Sequence, residues 1–94
     1  MNYQELSINE IKESKFNPST RTDKTSAKYK HLRTNIKANG LIVPLVVSKN
    51  FTLIDGHRRY NCLKDLKVET APVIIHTKVT NKTYDKFFVA ANES

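Results

Sequence analysis

Residues 55–59, Asp-Gly-His-Arg-Arg, set a carboxylate, a glycine, an imidazole and two guanidinium groups side by side in a chain of 94 residues. The apolar run Phe51-Thr-Leu-Ile54 precedes them, and Tyr60, Leu63 and Leu66 follow at helical spacing. Strand, short turn and helix would gather several backbone N–H groups and both arginines around one point. Helix openings already carry partial positive charge, so paired arginines there are electrostatically awkward. Phosphate oxygens would resolve the conflict, and Gly56 would let the backbone approach them closely. The alternative is plain: Arg58 or Arg59 pairs with Asp55, and the other is solvated.

Single residues carry competing roles. His57 is the obvious general acid or base beside the arginines, and their positive charge would keep it neutral at pH 7. It could take a proton from an attacking hydroxyl, or donate a hydrogen bond to a phosphate or to Asp55, which is the preferred reading. Asp55 could hold magnesium through water, although a carboxylate just before a helix more often caps it. Glu10 and Glu13 are candidate bases at the end of the first strand, or partners of local lysines. Cys62, the lone cysteine, reads as a small core residue and excludes an internal disulfide. His31 and His76 have no partner at metal-ligand spacing, and no structural metal is expected.

The elements that must position this cluster can be read from apolar periodicity. Residues 3–11 roughly alternate and predict a strand with Leu6, Ile8 and Ile11 inward. Residues 12–26 have turn chemistry around Asn17-Pro18 and predict a basic loop, which could fold over the cluster and bring Arg21 as a third cation. A helix is expected from near Thr25 to Asn39, capped by Asp23, Thr25 or Ser26 and stopped by Gly40, with Tyr29, Leu32 and Ile36 on its inner side. Residues 41–48 and 51–55 predict two neighbouring strands, with Pro44 near the start of the first and Asn50 supplying a left-handed turn. A second helix is expected from about His57 to Lys67. Residues 71–79 predict a strand covered on both faces, and residues 81–94 a third helix with Tyr84, Phe87, Phe88 and Ala91 inward. Together these predict a small α/β (α+β) domain with a mixed sheet of about four short strands and three helices, a fragment of a longer protein.

Charge narrows the partner. The chain is +7 overall, and between Lys12 and Lys37 eight Lys and Arg side chains face only Glu13 and Asp23. Such a field attracts polyanions, or else marks a solvated face. With the predicted helix buried through Tyr29, Leu32 and Ile36, the exposed cations Lys24, Lys28, Lys30, Arg33 and Lys37 form a candidate nucleic-acid-binding surface, making mostly backbone phosphate contacts. No run approaches the roughly 18 to 20 apolar residues of a membrane span, and no signal pattern opens the chain, so a cytoplasmic location is expected.

Residues 5 to about 76 resemble the ParB/sulfiredoxin superfamily, specifically the ParB-like N-terminal domain. Leu6-Ser-Ile-Asn-Glu-Ile11 and Asn17-Pro-Ser-Thr-Arg21 are similar to its first strand and Asn-Pro loop, and residues 31–47 to the helix, Gly and Pro-containing strand that follow. Gly56-His-Arg-Arg59 matches the Gly-Glu-Arg-Arg box of partition proteins, with His57 in place of Glu and Cys62 at a position usually held by Ala. The resemblance implies binding of CTP or another nucleoside triphosphate with Mg2+. The triphosphate would rest on Gly56, His57, Arg58 and Arg59, with Arg21, Ser19 and Thr20 closing over it. Family members place a Glu-Asn pair on the next helix; Asn92 fits the Asn, and the acid is missing or displaced to Glu93. The implied protein is a DNA-associated partition or regulatory factor of a plasmid, phage or chromosome, switched by nucleotide toward self-association as a homodimer, with sequence-specific DNA binding in a downstream domain. Two departures set alternatives. Sulfiredoxins have a nucleophilic Cys after the glycine, where this chain has His57, which excludes sulfinic-acid reduction. Kinases of free serine carry Asp-Gly-His with Arg two places beyond, which Asp55, Gly56, His57 and Arg59 satisfy, so a phosphotransferase using Asp55, His57 and Glu13 is one alternative. A DNA-binding or nuclease-like module without nucleotide is the other.

Overall fold

The computed structural model describes residues 2–13 and 23–77. Strand β1 (Asn2–Ser7) is followed by a 3-10 turn at Ile8–Glu10, helix α1 (Ala27–Asn39), strands β2 (Leu45–Ser48) and β3 (Leu53–Asp55), helix α2 (His57–Asp65) and strand β4 (Thr70–His76). The sheet runs β1-β4-β2-β3, with β2 and β4 parallel and the two outer pairings antiparallel. This is the expected α/β domain with a four-stranded mixed sheet. Two α-helices lie among the described residues, and the helix expected over 81–94 lies outside them.

Local sequence explains where the elements begin and end. The first strand is shorter than expected because Ser7 and Glu10 form a reciprocal capping box that bends residues 8–10 into the 3-10 turn, while Ile8 and Ile11 remain buried. After that turn Lys12 bridges to Thr52, with its N–H on the Phe51 carbonyl and its own carbonyl accepting from Leu53. The chain therefore crosses from one edge of the sheet to the other. Of the three candidate caps of α1, Ser26 is the one used: its hydroxyl accepts from the Tyr29 N–H at 3.1 Å. Gly40 ends the helix at φ +77°.

The β2–β3 connection differs from expectation in one residue. The left-handed position is Phe51, at φ 65°, and not Asn50. The buried Ser48 hydroxyl takes hydrogen bonds from both the Asn50 and Thr52 N–H groups, which fixes Asn50 in the turn and passes the reversal to Phe51. Helix α2 stops at Asp65, two residues early, because Lys67 turns left-handed at φ 57° and Val68 N–H returns to the Leu63 carbonyl. In β4 burial alternates, with Ala71, Val73 and Ile75 enclosed and Pro72, Ile74 and His76 half-covered, so only one face is fully packed.

The core joins Leu6, Ile8 and Ile11 to Tyr29 and Ile36 of α1, Leu45 and Val47 of β2, Leu53 of β3, Tyr60, Cys62 and Leu63 of α2, and the inner face of β4. Both helices thus turn inward through the residues their periodicity predicts, with Leu32 and Leu66 at the margin. Docked this way, α2 begins where β3 ends, at the outer edge of the sheet.

Candidate functional site

Gly56 is the hinge of the β3–α2 junction. It occupies the N-cap position at φ 97° and ψ 29°, a left-handed conformation that costs glycine little. A Cβ there would stand 2.7 Å from Leu45 Cδ2 and 3.0 Å from Arg59 Nη2, so the conformation favours glycine and any side chain would displace Leu45 and Arg59. No side chain caps the helix that follows. This corrects the expectation for Asp55: its Oδ1 accepts from the Gly56 N–H at 2.9 Å, one residue too early to serve the amides of the first turn. The partial positive charge of a helix start favours an anion there.

The two arginines separate. Arg58 is exposed. Arg59 folds back, its side chain only 18 % exposed, with Nη1 donating to the carbonyls of Val43 at 3.0 Å and Pro44 at 3.3 Å, and Nη2 lying 3.7 Å from Asp55 Oδ2. Sequence reasoning missed this contact with the 43–44 backbone, because main-chain acceptors sixteen and fifteen residues away leave no side-chain signature.

His57 opens α2 and is 8 % exposed. Burial pushes its pKa below the ordinary 6.5, while Asp55 and Glu13 pull the other way. It is therefore neutral, as expected, but burial is the cause and not neighbouring cations. The Asn61 side chain donates to the His57 carbonyl, bracing the first turn. Glu13 follows Lys12, which pairs beside β3, and sits 3.9 Å from Lys64 Nζ of the same helix, a lysine distant in sequence and not one of the local lysines expected. Cys62 is fully buried and its thiol pKa is raised by burial, which suits a core residue.

The basic surface is reshaped in one respect. Lys24 Nζ is bound to Asp65 Oδ1 at 2.8 Å, so its charge is locally matched. Lys28, Lys30 and Lys37 are exposed on α1, and Arg33 lies over the Tyr29 ring at 5.9 Å. Ser19, Thr20, Arg21 and Asn92 lie outside the described residues. A separate groove of about 690 Å3 between the 3-10 turn and the end of α2, lined by residues including Ser7, Ile8, Tyr60, Lys64 and Glu69, contains none of residues 55–59.

A model of the ParB N-terminal domain matches residues 1–92. A protein of Rickettsia felis titled "Probable chromosome-partitioning protein ParB" is 46% identical over 48 residues, covering 51% of this chain and 17% of that protein. The chain thus spans about a sixth of the length of that relative. Among solved structures, a C-terminally truncated chromosome-partitioning protein ParB from Caulobacter crescentus, complexed with CTP-gamma-S, has a TM-score of 0.74 at 14% identity, over 100% of this chain and 54% of that one. Sulfiredoxin from Arabidopsis thaliana has a TM-score of 0.71 at 25% identity, covering 93% of this chain and 97% of that one.

Proposed function

The chain belongs to the ParB N-terminal domain family, and from that premise we propose that it binds a nucleoside triphosphate, of CTP type, at the β3–α2 junction of a DNA-associated protein. The observation that carries the reading is the junction itself: a left-handed glycine packed against Leu45 and Arg59, a helix N-terminus with no side-chain cap, and an exposed guanidinium on its first turn. The phosphates lie over Gly56, the amides of His57 and Arg58, and the Arg58 guanidinium. Ser19, Thr20, Arg21 and Asn92 complete the site as the family pattern implies. The likeness to a ParB complexed with CTP-gamma-S supports the choice of ligand.

Magnesium would arrive with the triphosphate, which supplies most of its oxygens. Among the described residues no three His, Cys, Asp or Glu side chains gather as a metal site, and Asp55 at the junction would meet the ion through water. Its chemistry would be to neutralise phosphate charge. Nucleotide occupancy then biases self-association of the full-length protein as a homodimer on DNA, and the cations of α1 contact backbone phosphate.

Calorimetric titration with CTP, ATP, GTP and ADP in the presence of magnesium tests the reading. Binding of CTP well above the others is expected, and indifference to all four overturns it. Incubation with free serine in parallel, followed by assay for phosphoserine, distinguishes a phosphotransferase from a binding switch.

A further inference from the structure

The two arginines of the junction are placed differently. Arg59 places one nitrogen, Nη1, between two successive main-chain oxygens, Val43 O and Pro44 O, and leans its other nitrogen toward Asp55. It lies directly beneath Gly56, where a Cβ would come within 3.3 Å of its Cζ. The segment it holds precedes β2 and carries Ile42 and Val43, which are 76% and 58% exposed. Residues so exposed have little packing to fix them, and a carbonyl pair bridged by a planar guanidinium is a specific restraint.

We propose that Arg59 is a positioning residue that fastens the 41–44 segment against the first turn of α2 as one wall of the nucleotide site, leaving Arg58 as the guanidinium that meets the phosphates. Nη1 is committed to the two carbonyls, which turns that nitrogen toward the backbone and away from an incoming anion. Arg58, exposed on the same turn, keeps its full donor set. The inference rests on the nucleotide reading for its ligand, but the fastening itself is a property of the free protein.

The test uses Arg58→Ala, Arg59→Ala and Arg59→Lys in the 94-residue chain. Backbone 15N order parameters without nucleotide come first. Those of Ile42 and Val43 should fall from the rigid range, about 0.85, toward about 0.6 in both Arg59 variants, since lysine keeps the charge but cannot bridge the carbonyl pair in this geometry, and should stay at the wild-type values in Arg58→Ala. Amide exchange protection across β4 should be unchanged in Arg59→Lys, which separates local fastening from general loss of fold and covers the case in which Arg59→Ala does not fold. Titrations with CTP, CDP and CMP follow. A residue that shapes a wall should lower affinity for all three by the same factor, whereas Arg58→Ala should weaken CTP about tenfold more than CMP. Wild-type order parameters at 42 and 43 in Arg59→Lys, or an Arg59 loss that grows with phosphate number, overturn the assignment. A wild type that binds no nucleotide defeats the nucleotide reading, and the order parameters then still decide the fastening.

Discussion

At the scale of single residues, His57 carries a consequence for pH. Burial holds its pKa below 6.5 in the folded chain, while the unfolded chain takes up the proton near that ordinary value. Between the two, the unfolded state binds more protons than the folded state. Stability therefore rises with pH through this window and is lost as pH falls from 6.5 toward the folded value. His57→Gln should flatten the difference: the urea midpoint of wild type should fall more steeply between pH 7 and pH 5.5 than that of the variant. All other ionisable groups are common to the two proteins and cancel in the comparison. Parallel curves would show that His57 protonates as easily inside the fold as outside it. The same burial bears on mechanism, because an imidazole enclosed at the start of α2 is better placed to orient its neighbours than to exchange protons with water.

At the scale of elements, the packing of α1 on α2 is fastened by Asp65. Its Oδ2 accepts from the Tyr29 hydroxyl at 2.5 Å and its Oδ1 from Lys24, and the lysine and tyrosine together hold its carboxyl below the usual carboxylate range. Tyr29 is 1% exposed, so Asp65→Ala leaves a hydroxyl inside the core without its acceptor. The expected cost is about 2 kcal/mol, against about 1 kcal/mol for Tyr29→Phe, and the double variant should cost less than their sum, as chemical denaturation of all four proteins would show. This contact was invisible in the sequence, whereas the helices it joins were not. Tyr29 and Ile36, or Tyr60 and Leu63, announce a buried face by spacing alone, and Gly40 announces a stop by its type. Side-chain partners thirty-six residues apart have no period to betray them. The same limit hid the Arg59 contact with Val43 and Pro44, although residues 55–59 were legible as a charged junction. Where boundaries slipped, a local hydrogen bond had outweighed the apolar pattern: the Ser7–Glu10 box shortened β1, and the Ser48 hydroxyl moved the left-handed residue to Phe51.

At the scale of the whole molecule, most of the +7 charge is concentrated between Lys12 and Lys37, and the described fold sorts those cations unevenly. Helix α1 carries Lys28, Lys30, Arg33 and Lys37 and not one acidic residue. At about 100° per residue, Lys30, Arg33 and Lys37 share one flank over about 10 Å of helix, and Lys28 projects from the other. Lys24 is already matched by Asp65. A duplex laid along the flank would therefore meet three cations and release about three counterions, giving a slope near −3 in a plot of log affinity against log salt. Lys30→Ala and Lys37→Ala should each reduce the slope by about 1, and Lys24→Ala should change it much less. Because phosphate contacts carry no base information, a scrambled duplex should bind as well as any other. Fluorescence anisotropy between 50 and 200 mM salt reads all three quantities, and an affinity that ignores salt, or a slope untouched by losing Lys30 and Lys37, would move DNA binding off this helix altogether.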